Sequence, residues 1–170
     1  EKLYWEKQGS GPPLVMIRGL TRSLRFWEPI LPHLVDRYTL LLFDHRGIGR
    51  SSVNDVRFDL RTLAHDLAAV MDDAEVARAH VFGISLGGMV AQHLALDFPH
   101  KVDRLVLAST TAGGLKSRFP RVDTLLYLAI TNRFHPRTST RLQLPRLVSP
   151  QTAKARPEIA TSWVPFLEME

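Results

Sequence analysis

A serine flanked by glycines joins a short apolar segment to an apolar helical segment, and this junction constrains the fold most. The run Gly83-Ile84-Ser85-Leu86-Gly87 directly follows His80-Val81-Phe82, a short strand-like segment with two apolar residues. A strand that turns sharply into a helix forces the residue at the turn into a strained backbone conformation. A Cβ two residues away on either side would collide with this turn, so glycines suit those positions. We predict that Ser85 is exposed at the carboxyl edge of a sheet, where open α/β sheets bind ligands.

The helix that begins after Ser85 adds an electrostatic feature to the junction. Its first backbone N–H groups have no partner within the helix, and the helix dipole favours negative charge there. The Leu86 N–H is therefore predicted to be available to a developing oxyanion beside Ser85. Gly88 is predicted to let the helix approach the sheet closely.

Strand-like and helix-like segments alternate over the first 115 residues, which is typical of a parallel α/β sheet. Short apolar runs bounded by polar residues, glycine or proline predict the strands, and apolar residues at helical spacing predict the helices. The predicted strands are Leu14–Ile17, Tyr38–Phe43, His80–Phe82 and Leu105–Ala108, the first two of them buried on both faces. The predicted helices cover 60–71 and 86–98, with two short helical pieces over 20–36, where Pro29 and Pro32 interrupt the pattern.

Charge and composition separate the last third of the chain from the rest. The 170 residues carry a net charge of +5 and no cysteine, which excludes disulfides, thiolate catalysis and cysteine zinc sites. No apolar run approaches the about 18 residues that cross a bilayer. We expect a core over 1–114 and a mainly helical segment over 115–170, with one clear apolar helix from Asp123 to Ile130. The segment 116–156 sets its basic residues, Lys116, Arg118, Arg121, Arg133, Arg137, Arg141, Arg146, Lys154 and Arg156, against Asp123 alone.

The motifs together resemble those of the α/β-hydrolase fold superfamily, and the resemblance covers residues 1 to about 114. Beside the serine turn, Ile17–Thr21 resembles the oxyanion loop of that superfamily, with Arg18 where a histidine is usual. The runs Asp44–Ser51 and Phe98–Leu107 also match its motifs. The chain is most similar to the branch of small esterases and 3-oxoadipate enol-lactonase-like enzymes. The implied fold is a mostly parallel sheet flanked by helices, with the start of a helical cap.

The resemblance also assigns roles to residues of the turn and the loop. Ser85 is the implied nucleophile, and the N–H groups of Leu20 and Leu86 are the implied oxyanion donors. Gly19 belongs to the loop, whereas Gly83, Gly87 and Gly88 shape the serine turn. No cofactor is implied, and Asp44 beside His45 is attributed to the family turn rather than to a metal site.

An acid and a histidine should follow Ser85 in chain order to complete the catalytic set. The histidines after Ser85 are His93, within a predicted helix, His100, at the amino end of a strand, and His135, in the helical segment. None is well placed to act as the base, although His135 could lie over the site. We therefore expect that the chain lacks the catalytic acid, the histidine and the last strands of the fold.

These observations favour a serine hydrolase that cleaves a small carboxylic ester or lactone through an acyl-enzyme. The same constellation also serves acyl transfer, C–C bond hydrolysis and perhydrolysis, which stay open. A second class is a truncated or degenerate hydrolase that binds a ligand without catalysis.

Expectations on partners and location are simpler. The expected partner is a small-molecule substrate, with self-association through an exposed sheet edge as a further expectation. We expect no nucleic-acid binding, because no recognised binding motif accompanies the basic segment, and no membrane partner, because no apolar run is long enough to cross a bilayer. The expected location is cytoplasmic.

Overall fold

A mostly parallel five-stranded sheet organises the first part of the molecule. The computed structural model describes residues 2–20, 22–54, 57–113, 122–131, 138, 142 and 148–162. The strand order is β1-β3-β2-β4-β5; β1 runs antiparallel to β3, and the other neighbours are parallel. The strands are β1 Trp5–Gly9, β2 Pro13–Ile17, β3 Thr39–Phe43, β4 Ala79–Ile84 and β5 Val102–Ala108.

Helices cover the sheet on both faces because the central strands carry apolar side chains on both sides. Helices α1 (Leu60–Asp73) and α2 (Leu86–Asp97) cover one face, where Leu67 and Leu94 are fully buried. Short 3₁₀ turns over Leu24–Trp27 and Leu31–His33 lie on the other face. These elements confirm the predicted strands and helices and the two short pieces between 20 and 36. The antiparallel strand β1 was not predicted.

The ends of the two main helices follow from their sequences. The Asp59 carboxylate accepts the Thr62 N–H at 2.8 Å, which caps α1 at its first turn. The hydrogen bonds from the Thr62 N–H and the Thr62 hydroxyl also lower the pKa of Asp59 below its ordinary value. Helix α2 stops at Asp97, and Pro99 two residues later cannot continue it.

The strands differ in how far they are buried. In β3, Leu40, Leu41 and Leu42 have no exposed surface. In β5, by contrast, Val106 and Leu107 are 53% and 43% exposed, and β5 is one of the two edge strands of the described sheet, opposite β1. Self-association through this edge stays a prediction.

The chain divides into two compact units, Glu1–Ser117 and Arg118–Glu170. The described part of the second unit is helical, with α3 over Val122–Thr131, α4 over Pro150–Ala155 and α5 over Ile159–Ser162. Helix α3 confirms the predicted apolar helix, and the Tyr127 hydroxyl donates to the Leu142 carbonyl at 2.6 Å. That 1–114 form the core and 115–170 a cap stays a prediction. No helix in the described ranges combines the length and the apolar character that a membrane crossing needs.

Candidate active site

Ser85 occupies the sharp turn between β4 and α2, which we term the elbow, as its motif predicts. Its backbone has φ 56° and ψ −121°, a conformation with positive φ that residues other than glycine rarely adopt. The Ser85 N–H donates to the Ala108 carbonyl at 3.0 Å, and the Ser85 carbonyl accepts the Gly88 N–H at 3.0 Å. The residue is exposed at the carboxyl edge of the sheet. Its hydroxyl therefore lies where a substrate can reach it.

Two glycines permit this turn because backbone atoms occupy the space that a Cβ would need. A Cβ on Gly83 would lie 2.5 Å from the Gly87 carbonyl oxygen. A Cβ on Gly87 would lie 2.5 Å from the Arg18 carbonyl oxygen and would also strike that of Ile17. A side chain at either position would thus collide with the backbone, as the motif predicts.

The loop after β2 lies directly against Ser85. A Cβ on Gly19 would lie 3.2 Å from the Ser85 Cβ and 3.6 Å from its Oγ. Leu20 follows Gly19 and is 68% exposed, while Leu86 is the first residue of α2. The residues that carry the two predicted oxyanion donors are therefore the immediate neighbours of Gly19 and Ser85. Their role as donors stays a prediction.

The segment after β5 holds the serine turn from its other side, and sequence reasoning missed this. The Thr110 hydroxyl donates to the Ser85 carbonyl at 2.7 Å, and a Cβ on Gly88 would lie 2.6 Å from the Thr110 Cβ. The Gln92 side-chain amide donates to the carbonyls of Gly88 at 3.1 Å and Thr111 at 3.0 Å. The close approach predicted for Gly88 is an approach to Thr110. A hydroxyl residue just after a strand parallel to β4 was the available signal.

Arg18, which stands where a histidine is usual in the family, stacks on aromatic rings. Its guanidinium carbon lies 4.5 Å from the centre of the Trp27 ring and 5.2 Å from that of Phe26. Trp27 is itself 3% exposed, and the centre of its ring lies 5.5 Å from that of Phe82 in β4. The Arg18 side chain therefore packs against the 3₁₀ turn at Leu24–Trp27. This cation–π contact supports the loop after β2, to which Arg18 belongs.

His45 and Asp44 form a buried polar group under the same edge of the sheet. Burial lowers the pKa of His45 below its ordinary value of 6.5, and the Arg18 carbonyl and the carboxylates of Asp66 and Asp44 partly oppose this. The Asp44 carboxylate accepts the Leu24 N–H at 2.7 Å and the Arg50 N–H at 3.0 Å. Asp44 therefore has a structural role. Within the described ranges, no three His, Cys, Asp or Glu side chains converge to hold a metal ion.

Comparison with known proteins agrees with this geometry. The model of the alpha/beta hydrolase fold family matches residues 12–159. The chain belongs to this family. The mostly parallel sheet flanked by helices is accordingly that of an alpha/beta hydrolase, as the resemblance implied.

Relatives of this alpha/beta hydrolase include named hydrolases. It is 36% identical to "Putative carbamate hydrolase RutD" of Azorhizobium caulinodans over 107 residues. This match covers 63% of this chain and 40% of the relative. It is 30% identical to 3-oxoadipate enol-lactonase 2 of Acinetobacter baylyi, over 62% of this chain and 39% of the relative. A crystal structure of a hydrolase from Pseudomonas aeruginosa matches with a TM-score of 0.73 and 30% identity, over 97% of this chain and 62% of that chain. The chain thus spans about two fifths of these curated relatives.

The described histidines after Ser85 lie away from the elbow. His93 lies within α2, eight residues after Ser85. His100 lies in the 3₁₀ turn Pro99–Lys101, which leads into the amino end of β5. His135 lies outside the described residues. The identities of a base and an acid therefore stay open.

Proposed function

We propose that this alpha/beta hydrolase is a serine hydrolase that cleaves a small carboxylic ester or lactone through an acyl-enzyme on Ser85. The observation that carries the proposal is the exposed Ser85 at φ 56°, with the Gly19 loop on one side and the start of α2 on the other. Strain and exposure alone do not distinguish Ser85, since Ser109 shares both, but the Gly19 loop and the start of α2 lie beside the Ser85 side chain.

The reaction begins when Ser85 Oγ attacks the carbonyl carbon of the substrate. The carbonyl oxygen takes up the negative charge, and the N–H groups of Leu20 and Leu86 stabilise it. A general base accepts the Ser85 proton and returns it to the leaving alkoxide, which departs as the C–O bond breaks. Water then attacks the acyl-enzyme, releases the acid and restores Ser85.

The substrate class is supported by the names of the relatives and by the site. A carbamate hydrolase and an enol-lactonase are both named for substrates with an acyl carbon bonded to a leaving heteroatom. Such a carbon matches a single exposed hydroxyl flanked by backbone N–H groups. We propose a small ester or lactone on these grounds.

A second candidate function is non-catalytic binding by a degenerate hydrolase. The placement of His93 and His100 away from the elbow favours it, since Ser85 then has no described histidine beside it. A serine without its base keeps only binding and oxyanion stabilisation. The two candidates differ in whether Ser85 reacts.

Covalent labelling with a fluorophosphonate separates the two candidates. The purified protein should gain one adduct, which peptide mapping places on Ser85, and Ser85→Ala should abolish it. Ser109→Ala is the matched control, because Ser109 is also an exposed serine with positive φ, 48°, at the end of a strand. That variant should be labelled like the wild-type protein.

Turnover of a p-nitrophenyl ester and of a simple lactone then tests the substrate class. Hydrolysis that Ser85→Ala removes would support the proposed enzyme. Labelling without turnover of either substrate would contradict the ester or lactone assignment. An unlabelled Ser85 in the folded protein would overturn the nucleophile assignment and favour the binding candidate.

A further inference from the structure

The Ser85 carbonyl is held by a side chain from a neighbouring strand end. It accepts the Thr110 hydroxyl at 2.7 Å in addition to the Gly88 N–H at 3.0 Å. On the other side of the same residue, the Ser85 N–H donates to the Ala108 carbonyl at 3.0 Å. Both peptide groups of the strained serine are therefore attached to β5 or to the residues just after it.

The carbonyl of Ser85 and the N–H of Leu86 belong to one peptide group. That group is planar and almost always trans, so its C=O and N–H point in opposite and mutually fixed directions. A hydrogen bond that fixes the direction of the Ser85 carbonyl thus fixes the direction of the Leu86 N–H. It also polarises the amide, which strengthens the N–H as a donor.

Thr110 is itself well supported, so it can hold the peptide group in place. The chain turns through a left-handed residue at Ser109, φ 48°, and this turn brings Thr110 back over the elbow. The Thr110 side chain packs on Gly88, where a Cβ would lie 2.6 Å from its Cγ2. The next residue, Thr111, receives a 3.0 Å hydrogen bond from Gln92 of α2.

We propose that Thr110 is a positioning residue for the oxyanion site: its hydroxyl aims the Leu86 N–H at the substrate oxygen by holding the Ser85 carbonyl. This rests on the proposed function, in which the Leu86 N–H stabilises the oxyanion. Thr110 does not touch the substrate. Its contribution arises in the transition state, where negative charge on the oxygen is largest.

The test compares Thr110→Val, which keeps the shape and removes the hydroxyl, with Thr110→Ser, which keeps the hydroxyl. Loss of an oxyanion donor lowers kcat by about 10²–10³-fold, and misaiming one should cost less, about tenfold. We expect Thr110→Val to lower the rate of phosphonylation of Ser85, and kcat for an ester, with KM unchanged. Thr110→Ser should restore both rates.

Thr111→Val is the matched control, since it makes the same chemical change one residue away. The Thr111 hydroxyl oxygen accepts the Gly113 N–H at 3.2 Å and is not the group that bonds Ser85. This variant should react like the wild-type protein. If Thr110→Val also reacts like the wild-type protein, or if Thr110→Ser is impaired as strongly as Thr110→Val, the positioning role is overturned.

A spectroscopic measurement separates this proposal from the proposed function. The ¹⁵N shift of an amide responds to hydrogen bonding at the carbonyl of its own peptide group. Thr110→Val should move the Leu86 ¹⁵N resonance, whereas Thr110→Ser and Thr111→Val should not, whether or not Ser85 reacts. An unreactive wild-type Ser85 would reject the proposed function, whereas an unmoved Leu86 resonance in Thr110→Val would reject the role of Thr110.

Discussion

Two turns at the carboxyl edge of the sheet use left-handed backbone in different ways. In the turn after β3, the left-handed positions are glycines, Gly47 at φ 71° and Gly49 at φ 54°. In the elbow after β4, the left-handed position is Ser85 at φ 56°. Glycine adopts this conformation without strain, whereas serine does not. Strain is therefore present in the turn that exposes a hydroxyl and absent from the turn that only reverses the chain.

The polar side chains of the two turns also differ in their burial and in their hydrogen bonds. Asp44, in the turn after β3, is 1% exposed and uses both carboxylate oxygens to accept backbone N–H groups. Ser85 is exposed, and its backbone rather than its hydroxyl is bonded to neighbouring elements. A buried polar group that is fully bonded stabilises a turn, while an exposed one supported from behind is available for chemistry.

The largest effect is expected from Gly87→Ala in the elbow. Alanine normally stabilises a helix relative to glycine, but here its Cβ would lie 2.5 Å from the Arg18 carbonyl oxygen. We expect the clash to dominate and to lower the free energy of unfolding by about 3 kcal/mol, with loss of Ser85 labelling. Urea denaturation measures the first effect and intact mass the second. Gly113→Ala is the comparison variant, because an added Cβ there meets nothing within 4 Å and only the φ of 77° strains the alanine, at a cost of about 1 kcal/mol.

A somewhat smaller effect is expected from Asp44→Ala in the turn after β3. The Leu24 N–H is buried and would lose its acceptor at a cost of about 1–3 kcal/mol, whereas the bond from the Arg50 N–H is only partly buried and adds less. Asp44→Asn keeps one oxygen and should destabilise the protein less. Midpoints of thermal unfolding should be lowest for Asp44→Ala and higher for Asp44→Asn. Asp36→Ala is the control, since Asp36 is exposed, and its midpoint should be near that of the wild-type protein. Equal stability of Asp44→Ala and wild type would refute the structural role of this carboxylate.

Acid should weaken the protein through His45. The pKa of folded His45 is lowered by burial, so the unfolded chain binds its proton near pH 6.5 and the folded chain only at lower pH. Stability is therefore lost as the pH falls below 6.5, by at most about 1.4 kcal/mol per pH unit for this one proton. The loss ends below the folded pKa. Unfolding free energies measured across this range should depend less on pH in His45→Asn than in the wild type or the exposed His100→Asn.

The smallest effect is a gain in stability from Ser85→Gly. Glycine relieves the strain at φ 56° but adds freedom to the unfolded chain, which leaves a net gain of about 1 kcal/mol. Ser85→Ala keeps the strain and should show no such gain, although both variants lose labelling. A lower stability of Ser85→Gly than of Ser85→Ala would contradict the comparison of the two turns.

Much of the fold could be predicted because local patterns determine it. The apolar runs at Leu14–Ile17 and Tyr38–Phe43 correspond to β2 and β3, and the helical spacing over 60–71 lies within α1. Strand β1 was missed because Trp5-Glu6-Lys7-Gln8-Gly9 contains three polar residues in succession. Its pairing with β3 is antiparallel at an edge, so one strand face does not need continuous apolar residues.

The site divides in the same way between local and distant contacts. The strained Ser85 and the collisions at Gly83 and Gly87 follow from one short motif, so sequence reasoning found them. The hydrogen bond from Thr110 to the Ser85 carbonyl joins residues of two different strand ends, so the motif around Ser85 does not contain it. A base for Ser85 stayed out of reach for the same reason, since it must come from elsewhere in the chain.

The register of the central strands has a consequence for the order of folding. Ile17 at the end of β2 pairs with Gly83 at the end of β4, two residues that are far apart in the chain. Such pairings form slowly, because a long loop must close before they gain any contact energy. The serine turn is complete only when this pairing places the loop after β2 against it. The rate at which Ser85 becomes reactive during refolding should thus equal the rate at which the whole sheet assembles, rather than the rate at which one turn forms.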